Sequence, residues 1–376
     1  MMIAVIADDI TGAAEIAGIS LRYGLRVGLG TGDSFSTDFD VFITCTDSRS
    51  STKALALEKT EAVLKNLVGL RPALVYKKID SVLRGYVLDE LRLQMKRMGL
   101  QKAFILPANP TLGRTICKGV YYVQGVPIGQ TSFASDPEFP IRQSSVQSIL
   151  NDPEVQVTKH FKPLPKGGFV VGEAETREDL DAWAFTVDNS FVLAGAGDFF
   201  NALLQQRFEP LPIPTGHDLQ QPLLYVSGTA FQPSVGYISR VHGQNPFVNY
   251  ISKQMVVAGQ ANREWLEACS KALKTRGKAI VAFNSEWIPE GVTAGGLRLL
   301  MAKSVAALIQ ESNVGELFIE GGSTAMAILK ELNISHLEPV IEWERGGVRM
   351  KAGDLYITVK PGSYGLPEEI KEQFGN

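Results

Sequence analysis

Short apolar runs of strand length alternate along the chain with longer stretches in which apolar positions recur at helical spacing. The pattern predicts strands over 3–7, 27–29, 41–45, 73–77 and 103–107, with helices over 13–23, 51–67 and 88–98 between them. Strands separated by helices imply crossover units and a mostly parallel sheet. Segment 108–145 breaks the rhythm. It follows Pro107, carries Pro110, Pro127, Pro137, Pro140 and several glycines, and is too long for a routine connection, a kind of loop that is often functional. The alternation resumes in "GGFVVGEAETREDLDAWAF" and "FVLAGAGDFFNALLQQ". "FEPLPIPTGHDLQQP", with four prolines and no periodicity, then reads as a linker. A second series runs through "LLYVSGT", "KAIVAFNS", "ELFIEGG", "VIEWERGG" and "LYITVKPGSYG", and no internal repeat is evident. The expected architecture is α/β with two domains, each a mostly parallel sheet flanked by helices: residues 1–210, a Pro-rich linker over 211–222, and residues 223–376.

The first strand runs directly into two aspartates in "MIAVIADDITGA". One carboxylate suffices to cap the following helix. A second one, Asp8 beside Asp9, stands at the carboxyl end of a buried strand, where open α/β sheets bind their ligands. The strand over 73–77 leads into "YKKIDSVLRG", which packs Lys77, Lys78, Asp80, Ser81 and Arg84 into a short loop. Lys78 and Arg84 suit a substrate carboxylate, and Asp80 and Ser81 suit hydroxyls. "TCTDSRS" offers Asp47 and Arg49 at an equivalent strand end. Three crossover units thus aim polar groups at one sheet edge, as a pocket for a small polyhydroxy acid would require.

Composition narrows the class. A chain of 376 residues suggests about two domains. With 45% hydrophobic and 20% charged residues it is an ordinary α/β protein, and a net charge of -3 offers no basic footprint for nucleic acid or an anionic membrane. Cys45, Cys117 and Cys269 lie far apart and read as small buried hydrophobes of a reducing compartment. His160, His217, His242 and His336 lack the spacing of a catalytic zinc site. With neither a signal-like leader nor 18 consecutive apolar residues, a cytoplasmic location is expected.

The second half offers glycine where the first offers charge. "YVSGT", "IEGGST" and "VKPGSYG" each place glycine and hydroxyl residues after a strand, where backbone N–H groups can form an anion nest suited to phosphate. No GxxxxGK[ST] occurs, and no complete GxGxxG follows a strand. "GAGDFF" approximates a ribokinase-type signature with Asp198 as base, but the expected upstream Asp-Thr is absent, which favours a helix-capping role.

"ADDITGA", "KKIDSVLRG", "PANPTLGRTICKGVYYVQGVPI" with "TSFASDPEFP", then "VSGT", "EGGST" and "KPGSYG" together resemble the four-carbon acid sugar kinase family, over nearly the whole chain. Its members phosphorylate threonate, erythronate and 3-oxo-tetronate type acids. The resemblance implies an N-terminal acid-sugar domain, a C-terminal nucleotide domain, a reaction in the inter-domain cleft, and ATP with Mg2+ as cofactors. By position it implies substrate contacts from Asp8, Asp9, Arg49, Lys78, Asp80, Ser81 and Arg84. Nucleotide contacts would come from Ser227, Gly321, Gly322, Ser323, Thr324, Gly362, Ser363 and Gly365. Relatives often carry an acid where Ser323 stands, so a magnesium ligand would have to be Glu320 or water.

The expected mechanism has Arg49, Lys78 and Arg84 fixing the substrate carboxylate and hydroxyls while Asp9 or Asp80 takes the proton of the attacking hydroxyl. Arg114 could touch substrate or phosphate, or hold the long loop through a carboxylate such as Asp136; Tyr121, Tyr122 and Phe133 read as loop packing. Partners are a small sugar acid and ATP, without nucleic acid or membrane, and homo-oligomerisation is left open. The competing readings are a ribokinase-like kinase using Asp198, a nicotinamide-dependent oxidoreductase, and a non-catalytic sugar-acid-binding protein.

Overall fold

The computed structural model describes residues 2–33, 35–67, 69–136, 138–159, 164–212, 218–243, 245–284, 291–343, 346–362 and 364–375. Pro137, His160, His217 and Ser363, singled out from the sequence, lie outside that set. The chain divides into two compact units, Met1–Pro212 and Ile213–Asn376. The stretch expected as a linker is fastened at both ends: Leu211 donates its N–H to the Arg22 carbonyl at 2.7 Å, and Gln220 donates to the Glu316 carboxylate at 2.8 Å.

In the first unit the described strands are β1 (Ile3–Ala7), β2 (Val27–Thr31), β3 (Val41–Cys45), β4 (Leu74–Lys78), β5 (Lys102–Leu106), β6 (Arg114–Cys117), β7 (Val120–Val123), β8 (Val126–Pro127), β9 (Val155–Thr158), β10 (Gly168–Gly172) and β11 (Val192–Gly195). The helices are α1 (Ile10–Leu21), α2 (Lys53–Leu67), α3 (Val87–Met98), α4 (Val146–Leu150), α5 (Arg177–Thr186) and α6 (Gly197–Gln205). The main sheet runs β2-β3-β1-β4-β11-β5-β10-β9, with every pair parallel. Ala7 lies opposite both Cys45 and Lys78, so β3, β1 and β4 end level with one another. That register brings the loops after all three strands to one place. Inside the unit, Lys77 and Glu90 form a buried ion pair at 2.6 Å, both nearly inaccessible.

Segment 108–145, expected as one long loop, has strands of its own. It holds the antiparallel meander β6-β7-β8, and Ile116, Tyr121 and Ile128 pack into the same core as Leu88 and Leu91. Each hairpin turns on two residues at positive φ, Lys118–Gly119 (49° and 74°) and Gln124–Gly125 (52° and 76°), the backbone that a tight two-residue hairpin demands.

In the second unit the strands are β12 (Leu223–Ser227), β13 (Val248–Ile251), β14 (Lys278–Phe283), β15 (Glu316–Glu320), β16 (His336–Glu342), β17 (Val348–Ala352) and β18 (Leu355–Lys360). The helices are α7 (Gln232–His242), α8 (Lys253–Ala258), α9 (Arg263–Arg276), α10 (Ala294–Glu311), α11 (Gly322–Glu331) and α12 (Glu368–Phe374). The sheet order is β13-β14-β12-β15-β18-β17-β16, parallel through β18 and antiparallel beyond it. Ser227, Glu320 and Lys360 stand in register at the carboxyl ends of three adjacent strands. Among the described residues no helix is long and apolar enough to cross a membrane.

Candidate active site

The three level strand ends of the first unit assemble one charged cluster. Arg49, in the loop after β3, sends Nε and Nη2 to Asp8 at 2.9 and 2.7 Å, and Nη1 and Nη2 to Asp9 at 2.9 Å each. Its Nη1 also lies 3.5 Å from Asp80. The guanidinium expected to fix a substrate carboxylate is therefore spent on three of the protein's own carboxylates. Arg84 donates Nε and Nη2 to Asp80 and Nη1 to Asp136, all at 2.9 Å. Lys78 donates to the Ile79 carbonyl at 3.0 Å and pairs with Glu15 at 3.2 Å. Ser81 accepts from Arg114 Nη1 through its hydroxyl and from the Tyr121 phenol through its carbonyl.

The paired aspartates divide their tasks. Asp9 is the N-cap of α1: one oxygen accepts from the Gly12 N–H at 2.8 Å and the other from the Thr11 hydroxyl. With two bonds from Arg49 as well, both oxygens of Asp9 are fully engaged. Burial opposes its charge, but Arg49, Lys78, Thr11 and Gly12 outweigh that, and its carboxyl is held below the ordinary value. Asp8 accepts one Arg49 bond on each oxygen, leaving a lone pair on each. For Asp8, burial is the larger effect and pushes its carboxyl up in spite of Arg49, helped by repulsion from Asp9. Burial also works against Asp80, yet Arg49 and Arg84 hold its carboxyl far below the carboxylate range. A carboxylate so stabilised is a poor proton acceptor, and its ion pairs make Asp80 the counter-ion that aims Arg49 and Arg84. On Lys78, burial is overcome by Glu15, Asp9 and Asp8, and the ammonium is held above its usual range.

The chain beyond the meander closes against this cluster. Asp136 takes Arg84, Glu138 accepts from the Ser50 hydroxyl at 2.6 Å, and the Phe133 ring lies 5.4 Å from Arg84 Cζ and 5.8 Å from Arg114 Cζ. Asp136 thus pairs with Arg84, not with Arg114 as the sequence suggested. Phe133 does more than fill the loop, since it carries two guanidinium groups. Asp198 does not cap α6, whose N-cap is Ala196; it accepts from the hydroxyl and N–H of Thr111 at 2.9 and 3.0 Å.

In the second unit the three glycine turns converge. Glu320 accepts from Tyr225 at 2.7 Å, Ser227 at 3.1 Å, Ser234 at 2.6 Å and Lys360 at 2.9 Å, and is wholly buried. Lys360 donates further to the carbonyls of Pro361 and Tyr364 at 2.8 and 2.6 Å, which wraps the turn after β18 around its ammonium. The turns touch closely: a Cβ on Gly228 would stand 2.0 Å from Thr324 Oγ1, and one on Gly362 would stand 2.7 Å from Thr229 Oγ1. Thr229 donates to the Gly362 carbonyl at 3.0 Å, and Gly321 takes φ +109° as the N-cap of α11, with no side chain capping the helix.

Of the residues expected to meet a nucleotide, Gly321, Gly322, Thr324 and Gly362 are brought together. Ser323 is exposed in the first turn of α11. Ser227 is buried and donates its hydroxyl to Glu320, so it braces the turn from within. Gly365 is exposed, with open space around it. Lys360 and Thr229 were missed, although both stand in the quoted motifs. All four of the contacts of Glu320, the residue named for magnesium, are protein donors. Among the described residues no group of three His, Cys, Asp or Glu side chains is placed to hold a metal ion.

The sugar-binding N-terminal domain model matches residues 3–203, more than half of the chain. The D-threonate kinase of Salmonella typhimurium is 28% identical across 97% of this chain and 96% of its own length. The D-erythronate kinase of Heliobacterium modesticaldum is 29% identical over 54% of this chain and 52% of its own. Among solved structures, a Salmonella typhimurium protein superposes at TM-score 0.80 with 18% identity, covering 99% of this chain and 98% of that one. A Haemophilus influenzae protein does so at 0.73 with 18% identity and 98% coverage of each. The chain belongs to the four-carbon acid sugar kinases, phosphotransferases whose acceptor is a hydroxyl group.

Proposed function

We propose that the chain transfers the γ-phosphoryl group of ATP to a hydroxyl of a four-carbon sugar acid of threonate, erythronate or 3-oxo-tetronate type. The observation that carries this reading is the division of chemistry between the units. Residues 1–210 hold a charged cluster suited to hydroxyls and a carboxylate. Residues 223–376 hold three interlocked glycine turns at adjacent parallel strand ends, one of them opening helix α11, as backbone recognition of phosphate requires. Such a kinase draws on the cytosolic ATP pool, which favours the cytoplasm.

Phosphoryl transfer depends on positioning and on stabilising charge. Asp8 is the proton acceptor in this reading. It has lone pairs to spare and a raised pKa, which brings it nearer to the working pH than Asp9 or Asp80. As the substrate oxygen bonds to the γ-phosphorus, the bond to the bridging oxygen breaks, ADP leaves, and the hydroxyl proton passes to Asp8. Asp9 and Asp80 keep Arg49 and Arg84 in place, and Lys78 and the uncommitted N–H groups of Arg84 orient the hydroxyls. Magnesium would travel on the ATP phosphates, and no step is assigned to it.

The ribokinase-like alternative fails on Asp198, which is engaged by Thr111. A pure binding protein has no use for the converging turns. Thermal shift separates the remaining classes: a rise in Tm with ATP and magnesium is expected, and a rise with NAD alone, or with sugar acid and never with ATP, would contradict the proposal.

A further inference from the structure

Resting on the kinase reading above, we propose that Arg114 recognises the carboxylate of the sugar acid and thereby sets the preference for acids over neutral polyols. A guanidinium has five N–H donors in a fixed fork. Four of those of Arg49 go to Asp8 and Asp9, and its Nη1 also forms an ion pair with Asp80. Arg84 gives Nε and Nη2 to Asp80 and Nη1 to Asp136. Lys78 is held by Glu15 and a backbone carbonyl.

Among the described residues the Arg114 guanidinium donates to the Ser81 hydroxyl and has no carboxylate partner. It is the one cation of the cluster whose charge the protein has left uncompensated there. An anion that bound instead at Arg49 or Arg84 would meet guanidinium groups whose charge protein carboxylates already offset.

The placement of Arg114 suits the task. It opens β6, its backbone is pinned by a pair of hydrogen bonds with Asn109 at 2.7 and 3.1 Å, and its guanidinium sits beside the Phe133 ring. Its one protein partner, Ser81, directly follows Asp80, so the free part of the fork lies next to the loop that would meet the hydroxyls. A planar fork with several donors free matches a carboxylate in two-point fashion, which a lysine ammonium does not.

The test uses the full chain and compares a four-carbon acid with its primary amide, which keeps the hydroxyls and loses the charge. Calorimetric binding and steady-state KM are measured for wild type, Arg114→Gln and Arg114→Lys. Wild type should prefer the acid. Arg114→Gln should weaken the acid roughly tenfold to a hundredfold while leaving the amide and the KM for ATP unchanged, and Arg114→Lys should fall between, which also answers the case where the Gln variant does not fold. Equal weakening of acid and amide would reduce Arg114 to a prop for Ser81 and overturn the proposal, as would an unchanged acid preference. The two failures are separable. A wild type that prefers the acid but releases no ADP defeats the kinase reading and leaves Arg114 standing, whereas one that releases ADP without preferring the acid defeats Arg114 alone.

Discussion

Asp8, buried, and Asp9, half-buried, are adjacent and bound to the same arginine, yet their surroundings drive them in opposite directions. The difference lies in how many donors each oxygen meets, and it decides their roles. Asp8→Asn should lower kcat by about two to four orders of magnitude, the usual range for losing a general base, with little change in Tm. Asp9→Ala should instead cost about 1 kcal/mol of stability through the lost helix cap, read by urea unfolding. Since the ionised form of Asp8 is the active base and its pKa is raised, the acid limb of the kcat profile should lie above the ordinary carboxylate value of 3.8 and vanish in Asp8→Asn. Asp80 follows the opposite sign. Its folded pKa is depressed, so it contributes stability that is present above 3.8 and lost as pH falls toward the folded value. A Tm series from pH 7 to about pH 3 should therefore fall less steeply for Asp80→Asn than for wild type.

At the scale of elements, the turns after β12, β15 and β18 are held by one buried carboxylate and one buried ammonium. Lys360→Met would leave Glu320 without its counter-ion, at a cost of about 3–5 kcal/mol. It should also raise the KM for ATP while the KM for the acid stays put. Adding Glu320→Gln should restore part of the stability and none of the ATP affinity, because the carbonyls of Pro361 and Tyr364 would still lack their donor. Gly228→Ala should act on ATP alone, by driving a methyl into Thr324. The parallel strands and their helices were legible from periodicity because each repeats one pattern. The meander was not, since its turns use Lys-Gly and Gln-Gly where Asn-Gly or Asp-Gly would have announced a hairpin. Lys360 escaped notice because a lysine ending a strand reads as a surface charge until its three acceptors are seen.

At the scale of the molecule, sequence patterning pointed to the loops after β1, β3 and β4, which end level because strand ends in a parallel sheet share an edge. It did not tell which charges are spent on one another. Arg49 and Arg114 look alike in a sequence, and only contact geometry separates a saturated fork from an open one. The match to the sugar-binding domain covers the charged unit, and the glycine turns lie beyond it. The most direct measurement is ADP release by the purified chain with ATP and magnesium, across D- and L-threonate, D- and L-erythronate and the 3-oxo-tetronates, each against a blank without acid. Turnover on one of these acids well above the blank is the expected result. ADP release that no acid raises above the blank would contradict a kinase for four-carbon sugar acids.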